Sequence, residues 1–254
     1  MLSLALLFLG LFTQAYADES PVVASYWGKD FLNSTFTKES IQKIITDNKP
    51  KTISYPQARV ALFNQIYLEK DARGYFIQDV YCERNIYSSD VAGIGPNSVP
   101  NSNLMNIEHT WPQSRFSKQY VTDTQKTDLH HLYPSNSHTN SQRGNYMFAE
   151  VSSNDVVDDC KASNLGSALI TNDGKDYFEP SPKHRGNVAR ALFYFSVRYA
   201  MVITPTEELY LRKWHKEDPI DSLEVARHEQ IYKILNTRNP FIDYPQLVDK
   251  IENF

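Results

Sequence analysis

The spacing of apolar and polar positions predicts a chain of mostly helical ends around a short-stranded middle. Thr37 to Asn48 reads as an amphipathic helix, and a second follows Pro56 through Lys70, with Ala58, Leu62, Phe63, Ile66 and Tyr67 recurring at helical spacing. From Gly74 to Tyr87 the pattern switches to partial alternation rich in aromatics, which predicts a strand or hairpin. Ser88 to Asn103, with Gly93, Gly95, Pro96 and Pro100, is a loop by composition, and residues 152 to 182 read as short strands and loops. Helical periodicity returns in Gly186 to Met201, where Val188, Leu192, Phe195 and Tyr199 define a buried stripe. Further helices are expected from Pro205 through Trp214, from Ser222 to Leu235, and near Gln246 to Glu252, with a turn-rich segment at Asn236 to Asp243. No internal repeat interrupts this order, so the expectation is one α+β domain over residues 37–254 after a polar leader at 18–36.

Residues 1–17, MLSLALLFLGLFTQAYA, are uncharged and end in Ala-Tyr-Ala, the small-x-small signature of a cleaved signal peptide. A secreted or periplasmic protein is expected, with no membrane attachment after cleavage and nothing that demands more than a monomer. Cys82 and Cys160 are the two cysteines, and in an oxidising compartment an even count suggests a bridge, the alternative being two free buried thiols. The net charge of −4 offers no global attraction for a polyanion, so nucleic-acid binding would depend on local basic groups and a metal ion.

The candidate chemistry lies in two segments. LMNIEHTWPQSRF (104 to 116) sets Glu108 beside His109; on an extended segment these point to opposite faces, so that one can hold a metal while the other meets a water. DLHHLYPSNSHTNSQRGNYMFAE (128 to 150) gathers three histidines, Asn136, Asn140, Asn145 and Arg143, a density of imidazole, amide and guanidinium groups suited to handling phosphate. Hydrolysis of a phosphodiester requires a base for water and charge neutralisation at the phosphoryl and leaving oxygens. A histidine and a hard cation held by a carboxylate and an amide oxygen meet those needs. His130 is expected to fix its loop with Asp128 as partner, His138 to be a turn residue, and His184, His215 and His228 to be surface or capping groups. Arg185, Arg190 and Arg198 are read as covering apolar surface or pairing with carboxylates, the alternative being a phosphate groove, and Arg238 as paired to an acid.

NIEHTWPQSRF (106 to 116), TDLHHLYPSNSHTNSQRGNYMFAEV (127 to 151), HRGNVARALFYFSVRY (184 to 199) and RHEQIYKILNTRNPFIDYPQLVDKI (227 to 251) together resemble the bacterial endonuclease I family of secreted or periplasmic nucleases. The resemblance implies a ββα-metal (His-Me finger) core with a small sheet and a largely helical surround. It implies His109 as general base, and Glu108 and Asn140 as ligands of Mg²⁺ or another divalent cation such as Ca²⁺ or Mn²⁺. Arg143 and Asn145 fall in the same pattern as orienting groups, with Arg143 also a candidate catalytic cation; Asp128 and His130, read from the residues alone, are candidate supporting groups. The implied activity is a largely sequence-nonspecific hydrolysis of DNA, with RNA as an additional candidate substrate, to 5′-phosphate and 3′-hydroxyl ends. Some members carry a cysteine-rich insertion after the Glu-His pair that supplies a basic residue to the phosphate; this chain has only Pro112 to Thr127 there, and Arg115, Lys118 and Lys126 are its nucleic-acid-binding candidates by position. Competing readings are a zinc hydrolase built on His130, His131, His138 and Asp128, and a catalytically silent nucleic-acid-binding module on the same fold.

Overall fold

The computed structural model describes residues 20–34, 36–152, 155–157, 160–171 and 173–254; the expected signal peptide at 1–17 lies outside them. The chain divides into two compact units, Met1–Ser34 and Thr35–Phe254. In the first, helix α1 (Pro21–Trp27) precedes a 3-10 turn at Phe31–Asn33, and the Trp27 and Phe31 rings stack with centroids 5.0 Å apart.

The second unit opens with α2 (Lys38–Asp47), capped by reciprocal hydrogen bonds between Thr37 and Ser40. Helix α3 (Tyr55–Val60), capped in the same way by Ser54 and Gln57, runs on as a π-helical stretch over Ala61–Ile66. The helix expected to reach Lys70 therefore stops at Ile66, because Glu69–Asp71 is taken as strand β1, paired antiparallel to β2 (Gly74–Asp79), which pairs in turn with β3 (Arg84–Tyr87). Strand β4 (Met105–His109) precedes the short helix α4 (Thr122–Lys126) and pairs antiparallel with β5 (Leu132–Asn136), and helix α5 (Ser137–Arg143) follows at once. A third sheet has the order β6 (Met147–Phe148), β9 (Asp176–Glu179), β8 (Cys160–Ser167), β7 (Asp155–Val157), with β6 and β9 parallel and the other pairs antiparallel.

Helices α6 (Arg185–Arg198), α7 (Pro205–Glu217), α8 (Ser222–Leu235) and α9 (Pro240–Asp243) and a 3-10 segment at Pro245–Lys250 complete the unit. The arrangement is α+β, with small sheets and helices on either side of them in the sequence. The predicted stripe on α6 is too narrow: every residue from Val188 to Val197 is buried, so this helix is the axis of the core rather than its wall. Such burial forces its one internal arginine into an ion pair, Arg190 with Glu224 of α8 at 2.5 Å, both side chains 1% exposed. Gly186 is required where α6 starts, since a Cβ there would sit 2.0 Å from the Asp218 carbonyl oxygen. Arg238 is paired with Asp243 and Glu229, as expected. His184 and His228, expected as surface or capping groups, are buried, His184 standing at the start of α6 without a side-chain capping bond, and His215 is half-buried with its Nε2 on the Pro245 carbonyl.

Cys82 and Cys160 form a disulfide across 78 residues of sequence. The bridge ties the β2–β3 turn to β8, beside a hydrogen bond from Ser163 Oγ to the Tyr81 carbonyl. Val80 donates to the Pro134 carbonyl at 3.2 Å, which fixes the same turn against β5. These contacts hold Tyr81 behind the β4–β5 pair.

Candidate active site

Helix α5 stands over the β4–β5 pair because of its two ends. Asn136 caps its start by accepting from the backbone N–H of His138 and Thr139, and Gly144 ends it with φ +53°, a conformation that favours glycine. Within the helix, the Asn140 amide nitrogen donates to the Ile107 carbonyl of β4 at 3.1 Å. That bond orients the amide, leaving its oxygen as the free end. Arg143, 1% exposed, donates to the carbonyls of His109 and Thr110 at 3.2 and 2.6 Å, and its Nη1 lies 3.1 Å from Glu108 Oε1.

The adjacent Glu108 and His109 have different neighbours, as alternate positions on a strand should. Glu108 lies among Arg143 and Tyr81, 1% exposed; burial raises its carboxyl pKa while Arg143 and Tyr81 act to lower it. Its Oε1 has the Arg143 ion pair but no aligned hydrogen bond. His109 lies among the rings of Tyr55, Phe116 and His131. Burial pushes its pKa down to about 4, so the ring is neutral at neutral pH. Because Nε2 is 3.1 Å from the Lys126 carbonyl oxygen, an acceptor only, the proton belongs on Nε2. Nδ1 is then the basic atom, with the Gln113 amide nitrogen 3.4 Å away.

Glu108, His109, Asn140, Arg143 and Asn145 line one polar groove of about 850 Å³, with Gln113 on its rim. Five of the predicted residues thus meet. Asn145 is exposed, 3.5 Å from Ser114 Oγ. Asp128 and His130 stand outside the groove lining. Asp128 accepts from the hydroxyls of Tyr194 and Tyr199 at 2.9 and 2.8 Å and from the His130 N–H at 3.1 Å, while His130 Nε2 meets the Thr237 carbonyl. Together they anchor the segment whose Lys126 carbonyl orients His109. Burial holds the His130 and His131 pKa values well below the usual histidine range.

The basic candidates separate. Arg115 is paired with buried Glu207 at 3.5 Å and lies over the Trp111 ring, lining a depression that shares Asn145 with the groove. Lys118 is exposed, and Lys126 places its Nζ 4.5 Å from the Tyr55 ring centre. Among the described residues no three His, Cys, Asp or Glu side chains cluster to hold a metal, and the histidines of the zinc reading are not brought together: His130 and His131 are bonded to backbone carbonyls and His138 is exposed on α5. Tyr81, Gln113, Tyr55 and Arg59 were not foreseen in the sequence; Gln113 lies inside the Glu-His segment and Tyr81 in the expected hairpin, but nothing in their spacing marks them.

The strand pair carrying Glu108 and His109 and the helix carrying Asn140 all lie within a segment that matches a family profile. The Endonuclease I profile matches residues 34–246, and the chain belongs to that family. An extracellular ribonuclease of Bacillus amyloliquefaciens is 35% identical over 168 residues, covering 58% of this chain and 53% of the relative. A periplasmic deoxyribonuclease of Aeromonas hydrophila is 28% identical over 118 residues, covering 46% and 47%, and Endonuclease-1 of Buchnera aphidicola is 25% identical over 118 residues, covering 46% and 44%. The chain spans about half the length of these relatives. Among the described residues no helix is long and apolar enough to cross a membrane.

Proposed function

We propose that the protein is an exported, divalent-metal-dependent endonuclease that hydrolyses DNA and RNA with little sequence preference. The observation that carries this reading is the convergence on one groove of a neutral histidine whose unprotonated Nδ1 has only the long contact from the Gln113 amide, a buried carboxylate, and an amide whose nitrogen is already bonded. Export is supported by the names of the relatives, extracellular and periplasmic, and by the disulfide, which belongs to an oxidising compartment.

In this reading β4, β5 and α5 form the ββα-metal core. Glu108 and Asn140 would hold the cation: both line the groove, Glu108 is a carboxylate with Oε1 taken by Arg143, and the Asn140 oxygen is a hard donor. A divalent cation, when bound, supplies neutralisation of charge at the phosphoryl and leaving oxygens. His109 Nδ1 removes a proton from water as the water oxygen attacks phosphorus; the P–O3′ bond breaks and the departing 3′ oxygen takes a proton from solvent, giving a 5′-phosphate and a 3′-hydroxyl. The Lys126 carbonyl keeps the ring in the required tautomer and steadies it as it becomes charged. Arg143, buried and committed to Glu108 and the carbonyls of His109, Thr110 and Gly144, positions the carboxylate and joins α5 to β4 rather than meeting substrate.

Water as nucleophile makes a 2′-hydroxyl unnecessary, so one site serves both polymers; the relatives named for ribonuclease and for deoxyribonuclease support that breadth. End-group analysis of DNA and RNA digests made with Mg²⁺ tests it. 5′-phosphate ends on both are expected, whereas 2′,3′-cyclic phosphates on RNA would replace water by the 2′-hydroxyl and remove the proposed role of His109.

A further inference from the structure

Beside the active groove lies a second depression, of about 580 Å³, lined by Tyr55, Arg59, Pro100, Asn101 and the two residues it shares with the groove, Ser102 and Asn106. We propose that this depression is a subsite for the nucleotide flanking the scissile phosphate, with Arg59 on the neighbouring backbone phosphate and the Tyr55 ring against the base. The inference rests on the nuclease reading above and adds residues that reading does not use.

Arg59 projects from α3 and donates from Nη2 to the Pro100 carbonyl at 2.7 Å and from Nη1 to Asn106 Oδ1 at 3.5 Å. A guanidinium carries five N–H donors, so these two bonds fix its position and leave donors for an anion. Among the described residues neither Arg59 nor Lys126 has a carboxylate partner, in a chain with more acidic than basic residues. Lys126 Nζ lies 4.5 Å from the centre of the half-buried Tyr55 ring, which is itself near-parallel to the His109 ring, 19° between planes and 6.3 Å between centroids. Within the depression, a guanidinium with no carboxylate partner and a planar ring next to the candidate base are what a flanking nucleotide needs: charge for its phosphate and a ring edge or face for its base, with Lys126 adding positive charge behind that ring.

The placement also has the right scale. Asn106 and Glu108 are two positions apart on β4, so they share a face and are roughly 6.6 Å apart along it, a step of the order of one extended nucleotide. A purely structural role for Arg59, pinning the loop that ends at Asn106, predicts a different outcome from substitution.

The test compares kcat/KM of the purified protein, with Mg²⁺, on a single-stranded DNA decanucleotide and on a dinucleotide, for wild type, Arg59→Gln and Arg59→Lys. The preference for the longer substrate is expected to collapse by roughly tenfold in Arg59→Gln, through KM, and to recover in part in Arg59→Lys. The slope of log KM against log salt for the decanucleotide should fall by about 0.7, one single-strand phosphate contact. Equal losses on both substrates, or an unchanged preference, would overturn the subsite while leaving hydrolysis at His109 intact. A wild type that cuts neither substrate would remove the nuclease reading, and the subsite with it.

Discussion

The Lys126 carbonyl oxygen lies 3.1 Å from His109 Nε2 and so decides which nitrogen of the candidate base carries its proton. The ring is neutral because burial disfavours its charged form, and Nδ1 is left as the proton acceptor in the groove. The acid limb of kcat/KM should therefore lie nearer pH 4 than pH 6.5, since the base form persists until pH falls to the lowered pKa. Steady-state rates from pH 4 to 8 check this, and a midpoint at 6.5 would mean a ring as solvated as a free histidine.

Substituting Arg143→Met should lower both stability and activity. Removing the guanidinium leaves Glu108 buried without its partner, a change that costs roughly 3–5 kcal/mol when one member of a buried pair is lost. Added divalent cation should then raise the Tm of Arg143→Met more than that of wild type, because the cation replaces the lost charge. Calorimetry with Mg²⁺ and with EDTA reads the difference, and equal shifts in the two proteins would detach Glu108 from the metal.

Asn140→Ala should move the Mg²⁺ concentration for half-maximal activity upward by tenfold or more, on the order of one coordinating or orienting group. Asn140→Asp restores an oxygen donor and should require less metal than the alanine variant. An unchanged Mg²⁺ titration in Asn140→Ala would exclude its oxygen as a ligand.

Replacing both cysteines, Cys82→Ser with Cys160→Ser, removes a cross-link that closes a long loop, for which chain entropy gives about 4–5 kcal/mol. For a chain of this size that is a fall in Tm of roughly 10 °C or more. The turn carrying Tyr81 loosens with it, so the metal requirement should also rise. A small change in Tm would show that the hydrogen bonds of Ser163 and Val80 suffice to hold that turn.

Stability should fall as pH drops below 6.5. His109, His130, His131, His184 and His215 all have folded pKa values lowered by burial, so between the unfolded value and the lowered one the unfolded chain takes up protons that the fold refuses. Their contribution is complete above 6.5 and is lost towards the folded values, about 4 for His109 and about 3 for His184. The carboxyls raised by burial, Glu108, Asp128 and Glu207 among them, act in the opposite sense, favouring the fold at acid pH, and soften the decline at its lower end. Thermal melts from pH 8 to 4 should show the decline beginning near 6.5, and a flat profile down to pH 5 would contradict it.

The helical ends and the stranded middle were legible because their apolar spacing is regular: α8 has the bounds its pattern predicts, and Thr37 announces the start of α2. Periodicity could not foresee that α6 is buried from Val188 to Val197, since the carboxylate that pairs with Arg190, as expected of it, is Glu224 of a helix more than twenty residues away. The second helix was read too long because Tyr67 and Leu68 continue an apolar pattern that tertiary pairing of Glu69–Asp71 cuts short. In the site, Glu108, His109 and Asn140 were legible through a family pattern. Tyr81, Lys126 as a backbone acceptor, and Arg59 were not, because a carbonyl has no side-chain signature and the other two arrive from elements far away in sequence.

The most direct test is cleavage of supercoiled plasmid by the purified protein, wild type beside His109→Ala, with Mg²⁺ and with EDTA. The prediction is nicking and linearisation by wild type with Mg²⁺ alone and loss of nearly all turnover in the folded variant. Cleavage that persists in His109→Ala at the wild-type rate, or that proceeds equally in EDTA, would contradict the assignment of His109 as base and of Glu108 and Asn140 as metal ligands.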